Sequence, residues 1–469
     1  MNYPFWNVPH IGSAWVIGII AIFHMMIALF AVGGGLYLVM AESKALRDHR
    51  EWLPVIRDHS KFFLILTAVF GTVSGVGIWF AIGLANPEGT STLIHNFVFG
   101  WAIEWVFFII ELSTAAVYYY SWNRISDSLH VKVGWLYAIS SFLTLVIING
   151  ILAFMLTPGD PWLAVAGTGQ EASRFWQAFF NPTYFPNLAI RCLICASLAG
   201  VWALVTCSRI DGQQKPELKT SLVRWSAKWL LPTFILLPAA LLWYLWKVPE
   251  SQRALLQLGV STIGTGAFTI VTRVMLIVML TSVTIVAVTY FFALREPLEF
   301  NPGHASAVVF LALIATASGE YVRETLRKPY VIGQHMYSNS VRVKDVDRLN
   351  AEGYLTRSLW TRNGGATQLE KGEAMFRGQC MACHTVYGYR SMKRLIGERD
   401  RKAIESVLAM LHDYKPDSPY HAYMPHLAGT REEIDSLAAY LATLNPPPPT
   451  DEKAKPKTAA ASAPAPKRL

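Results

Sequence analysis

Residues 14–41 read AWVIGIIAIFHMMIALFAVGGGLYLVMA, an apolar run interrupted by one ionisable side chain, His24. A helix of that length crosses a hydrocarbon layer with residues to spare, and it satisfies its own backbone polar groups there. Seven further stretches have the same character, at about 62–85, 96–121, 133–157, 184–208, 226–247, 264–293 and 305–325. The 469 residues are 53% hydrophobic and 16% charged, which fits a multi-spanning membrane protein with a soluble appendage. The expected fold class is all-α: a polytopic membrane helix bundle of about eight spans within residues 1–330, followed by a small soluble domain.

Charge orients the bundle. The net charge is +9, yet the basic residues lie in loops and in the tail rather than on one soluble face, so they indicate topology and not nucleic acid. Loop 41–61 holds Lys44, Arg47, Arg50, Arg57 and Lys61, and loop 208–228 is similarly basic, whereas loop 84–96 has no Lys or Arg. Basic loops stay in the cytoplasm, which puts the N-terminus outside, and eight spans return the chain to the outside. Residues 1–13 lack a basic n-region and the apolar run behind them is too long for an h-region, so no cleavable signal peptide is expected.

The soluble end is read from Cys380-Met381-Ala382-Cys383-His384. Two thiols at this spacing add across the vinyl groups of a haem, and the histidine that follows becomes an axial iron ligand. Tetrahedral zinc wants a second ligand pair. The other cysteines, Cys192, Cys195 and Cys207, lie far upstream in an apolar stretch and read as packing. A thioredoxin-like dithiol needs a βαβ setting that is missing. Met424, in Met424-Pro425-His426, offers a thioether for the sixth iron position. With an amphipathic helix leading into the motif and a closing helix at Thr430–Leu444, residues 366–445 resemble a class I cytochrome c domain. Residues 331–365 read as a polar connector and 446–469 as a disordered Pro/Ala/Lys tail. Covalent haem c is attached on the outer side of the bacterial inner membrane, so this resemblance demands the same sidedness as the charge pattern.

Ionisable residues inside spans are costly and usually face the bundle interior. His24 lies in the outer half of the first span. Glu104 and Glu111 in the third are seven residues apart, two turns, and so share a face. The seventh span carries Arg273 and Met275 at about the level of His24. The eighth ends in Glu320, Arg323, Glu324, Arg327 and Lys328, its two carboxylates one turn apart. Taken singly, His24 would read as hydrogen-bonded filler, Met275 as packing, and Arg327 and Lys328 as snorkelling side chains. Taken together they suit haem: arginines for propionates, His24, Met275 and a glutamate for iron, and Glu111 with Glu104 as a proton lead from the cytoplasm.

These residues make 14–335 resemble subunit I of the cytochrome bd-type oxygen reductases. Phe23-His24-Met25-Met26 with Gly33–Leu36 resembles that family's first helix, and Ile103-Glu104-Trp105, Ile110-Glu111-Leu112 and Trp122-Asn123-Arg124 its third. Asn149-Gly150 resembles the fourth helix, and Arg273-Val274-Met275 the arginine and methionine beside the low-spin b haem. Glu324-x-x-Arg327-Lys328-Pro329-Tyr330 follows the spacing of the family's E-x-G-R-Q-P-W. The resemblance implies haem b and/or haem d in the membrane, with His24 on one haem of the oxygen-reducing pair and Glu324 on the other. Glu320, one turn away, is within the same reach. It further implies proton delivery by Glu104 and Glu111, Arg327 beside the pair, O2 as acceptor, and a second membrane subunit resembling subunit II.

The departures concern electron input. No histidine lies between His130 and His304, where the family's fifth helix ligates the low-spin haem, and Arg191 is nearest that place. The long quinol-binding loop is reduced to about Lys247–Thr262, and the cytochrome c-like segment stands where a ninth span would be. Glu104 and Glu111 are also one residue closer than in the family. The expected function is a membrane terminal oxidase fed through haem c by a periplasmic donor. The alternatives are the same scaffold acting on another acceptor, such as a nitrogen oxide, and a tethered electron-transfer cytochrome, for which one span would suffice. Haem–copper oxidases and bis-histidine cytochromes b need clustered membrane histidines that this sequence lacks.

Overall fold

Eight helices among the described residues are long and apolar enough to cross a membrane: α1 Ser13–Asp48, α2 Arg50–Ala85, α3 Val98–Tyr120, α4 Asp127–Leu156, α5 Tyr184–Cys207, α6 Pro216–Lys247, α7 Ile270–Arg295 and α8 Pro302–Arg327. The structure, a computed structural model, describes residues 6–250, 269–356, 367–418, 420–421 and 423–445. All eight expected spans are present. Several run past the apolar windows, because polar ends such as Ser43–Asp48 continue the helix. Starts follow local chemistry. Asn301 caps α8 by accepting from Gly303 and His304 N–H at 2.9 and 3.2 Å, with Pro302 in the first turn.

α1 is the hub, packed on α2, α4, α5 and α8, while α3 with α4, α5 with α6 and α7 with α8 form helical pairs. The glycine run in α1 explains the close approach. A Cβ at Gly33 would lie 1.9 Å from Cys195 O, and one at Gly35 would lie 2.0 Å from Tyr137 Cε1. Within a bilayer, helices associate through such packing, since burial from water is already complete.

After α8 the chain does not run on as an extended connector. Tyr330–Ile332 (β1) and Met336–Tyr337 (β2) form an antiparallel hairpin, and a short helix follows at Val346–Glu352. Gly333 N–H bonds Met155 O at the end of α4 (2.9 Å), and Ser340 Oγ bonds Asn86 Oδ1 (2.9 Å), so the segment is seated on the bundle. Its far end joins the C-terminal unit: Glu433 accepts from Tyr354 N–H at 2.9 Å and Leu355 N–H at 2.7 Å.

That unit holds α9 Gln368–Gln379, α10 Arg401–Asp413 and α11 Arg431–Thr443 around Met375, Phe376, Leu408 and Leu437. Thr367 and Thr430 each start a helix with a reciprocal capping box. The unit rests against the start of the chain. Tyr389 N–H donates to His10 O at 2.6 Å, and the Tyr389 ring meets Trp15 edge-on at 5.5 Å. The stretch around His10 and Trp15 and the C-terminal unit therefore lie at the same end of the bundle, as an even number of crossings between them requires. The loop Lys247–Thr262 lies from residue 251 onward outside the described residues, as does the tail from 446.

Candidate functional site

The Cys380–His384 turn follows directly on α9. Phe376 O accepts from Cys380 N–H (2.9 Å), and Cys380 O accepts from the N–H groups of Cys383 (3.1 Å) and His384 (2.9 Å), so both thiols and the imidazole issue from one tight turn. His384 Nδ1 lies 3.0 Å from Arg390 O. A carbonyl only accepts, so the proton sits on Nδ1 and Nε2 keeps its lone pair for a metal. Burial pulls the His384 pKa below its ordinary value and keeps the ring neutral. Burial, and then Cys383, push the Cys380 thiol up to about 12, the reverse of what a redox-active dithiol needs. Met424 packs with Cys380 and Met381 on the same apolar cluster. Neighbouring His426 has its Nε2 committed to His412 O at 2.7 Å. The donor set Cys380, Cys383, His384 and Met424 fits a covalently attached haem.

This turn lies against the end of α8. Cys383 Sγ is 3.7 Å from Lys328 Nζ and 3.9 Å from Ser338 Oγ. Lys328 Nζ in turn is 3.4 Å from Glu324. Arg327 Nη2 bonds both oxygens of Glu324, at 2.6 and 2.9 Å, and Arg323 Nε bonds Glu320 at 2.8 Å. The two carboxylates considered at this helix end are thus both ion-paired, Glu324 twice. Arg327 Nε is buried with no partner among the described residues, a donor left for an acidic group.

His24 is held in the same way as His384. The hydroxyl hydrogen of Ser74 goes to Phe70 O (2.6 Å), so its oxygen accepts from His24 Nδ1 at 3.1 Å. Nε2 again keeps a lone pair. Gly75 gives the ring room, since a Cβ there would be 3.2 Å from His24 Cε1. Just upstream, α2 makes a π-helical turn at Ile65–Gly71, a departure that recurs at functional sites. The set fits a haem, whose iron His24 would ligate through Nε2.

Glu111 accepts from Tyr137 Oη and Ser141 Oγ, each at 3.0 Å. Glu104, half-buried two turns away, makes no side-chain hydrogen bond among the described residues. Arg273 and Met275 are not gathered into the interior: both lie on the exposed surface of α7, Met275 at 51%. α7 packs on α8 with other residues. Arg191 is buried, its Nε without a partner among the described residues, and lies within electrostatic reach of Glu320 and Arg323.

One polar constellation escaped the sequence reading. At the opposite end of the bundle, Glu42 meets His130 Nδ1 at 2.6 Å and Tyr118 Oη at 2.7 Å, with side chains 2% and 4% exposed for Glu42 and His130. His130 Nε2 donates to Tyr118 O at 2.8 Å, so neither ring nitrogen is available to a metal. Glu42 and His130 lie just outside the apolar windows 14–41 and 133–157, which is why a search within those windows passed over both.

The architecture is that of a polytopic all-α membrane protein with a small helical unit at one end. Residues 13–224 match the family model for cytochrome bd terminal oxidase subunit I. Among solved structures, the bd oxidase from Geobacillus thermodenitrificans is similar at 16% identity and a TM-score of 0.56, covering 69% of this chain and 89% of that one. No curated protein matches the chain. The structural likeness establishes a shared fold, and the family match over 13–224 supports a membrane oxidase-type role.

Proposed function

We propose that this chain is the haem-bearing subunit of a membrane terminal oxidase that reduces O2 to water, with electrons entering at a covalent haem c. The observation that carries the reading is the seating of the Cys380–His384 turn on the helix end that presents Glu324. In this reading Cys380 and Cys383 would hold haem c as thioethers, and His384 and Met424 would supply ligands to its iron. His24 and Glu324 hold the membrane haems, b and/or d, which supply O2 binding and reduction. Ser74 keeps Nε2 of His24 unprotonated. Glu111, cradled by Tyr137 and Ser141, takes protons from the cytoplasmic side and passes them along the α3 face to Glu104. Arg327 steadies Glu324 and offers Nε to an acidic group.

The basic loops support a periplasmic position for the C-terminal unit and the N-terminus at the bacterial inner membrane. The donor is then a periplasmic redox protein, and the exposed bundle surface suits lipid and a second membrane subunit resembling bd subunit II. Four electrons and four protons are consumed per O2. The test is pyridine haemochrome analysis of the purified complex together with O2 uptake driven by reduced cytochrome c or by quinol. Haem c and cytochrome-driven uptake are expected. Loss of covalent haem staining in Cys380→Ala and Cys383→Ala locates the attachment, and staining retained in either variant contradicts it.

A further inference from the structure

Lys328 puts a positive charge immediately after the last residue of α8, Arg327. That position is where the C-terminal unit docks. Lys328 Nζ is 3.7 Å from Cys383 Sγ and 3.4 Å from Glu324, and its side chain is only 15% exposed. Arg390, whose carbonyl positions His384, is a second cation close to the same turn. A neutral thioether sulfur is a weak acceptor, so the lysine is not needed to hold Cys383. What it does is put a fixed charge between two sites.

We propose that Lys328 is a positioning residue that couples the haem c site to the membrane site: its ammonium lies beside the Cys383 attachment and is balanced by Glu324. This rests on the reading of Cys380–His384 as a haem c site. A cation near the porphyrin disfavours the extra positive charge of ferric iron. At about 10 Å and an effective dielectric constant of about 20, one unit charge changes the equilibrium by roughly tenfold or more. Glu324 offsets part of that effect, so the state of the membrane site is felt at haem c. The step Lys328 tunes carries one electron from ferrous c iron, left ferric, to a ferric membrane iron, left ferrous.

The test is a spectroelectrochemical titration of haem c in the complete membrane complex. Lys328→Gln is expected to lower the reduction equilibrium about tenfold, ~59 mV for one electron. Lys328→Arg restores most of it. Glu324→Gln, which uncovers the lysine, shifts the potential upward, and this opposite sign is something a merely loosened interface does not produce. Haem c staining and elution as the intact complex check that each variant is assembled, and membrane-haem spectra serve as a further check for the two Lys328 variants only, because Glu324 is itself placed at the membrane haem. Where wild-type protein carries haem c but its potential is the same in Lys328→Gln, or moves the same way in Glu324→Gln, the inference about Lys328 is overturned while the haem c reading stands. If wild-type protein has no covalent haem, the underlying reading itself fails.

Discussion

Ser74 decides which nitrogen of His24 carries the proton, because its own hydroxyl hydrogen is spent on Phe70 O and only its oxygen is left to face the ring. Partners of this kind are worth roughly 10–100-fold in ligand affinity. Ser74→Ala is therefore expected to weaken retention of one membrane haem by that order, and His24→Ala to remove it or change its spin state, with haem c spectra intact in both. Unaltered membrane-haem bands in His24→Ala would exclude that residue as a ligand. For the sixth position of haem c, Met424→Ala should lower the potential with haem still attached, and an unchanged potential would place the ligand elsewhere. His24 and Glu111 were legible because each is a charge-capable group inside an apolar run. Ser74 was not, since a serine in a helix carries no mark of what it faces. Arg273-Val274-Met275 shows the reverse difficulty: the tripeptide fits a motif, but the rotation of α7, which turns Met275 outward, is set by packing on α8 and not by the three letters.

At the scale of elements, the bundle is pinned at the end remote from the Cys380–His384 turn by Glu42, His130 and Tyr118, which tie α1, α3 and α4 together. Removing one partner of such a buried pair leaves the other uncompensated, at a cost of about 3–5 kcal/mol. His130→Leu should lower the thermal stability of the detergent-solubilised protein accordingly, and a variant melting with the wild type would show the pair to be dispensable. The hairpin after α8 was read as a polar connector because its strands are only three and two residues long, too short for alternation to register. It contains His335, whose ring meets Trp162 at 5.1 Å. Burial, then Arg342 and Lys344, lower its pKa from 6.5 to about 4. Its folded value lies below its unfolded one, so the unfolded state binds the proton first as pH falls. The associated stability is present above about 6.5 and is lost progressively toward about 4. Protection of amides 330–337, with each rate corrected for the intrinsic pH dependence of exchange, should fall between pH 6.5 and 4.5, and His335→Phe should flatten that trend. A pH-independent protection factor in the wild type would contradict the assignment.

For the whole molecule, the eight-helix topology was legible from hydropathy alone, and charge gave a direction in which both chain ends fall on one side. The contact of Tyr389 with His10 and Trp15 is consistent with that count. What hydropathy could not give is how the C-terminal unit sits, because docking depends on single contacts such as Cys383 with Lys328. Under the proposed function that seating sets an order, in which electrons reach haem c first and the membrane site second. Stopped-flow mixing measures it directly. With a reduced periplasmic c-type cytochrome as donor, the account predicts that the haem c band is reduced first and the membrane haem bands follow, and that a quinol analogue reduces haem c slowly or not at all. Rapid reduction of the membrane haems by quinol in the Cys380→Ala variant would contradict it.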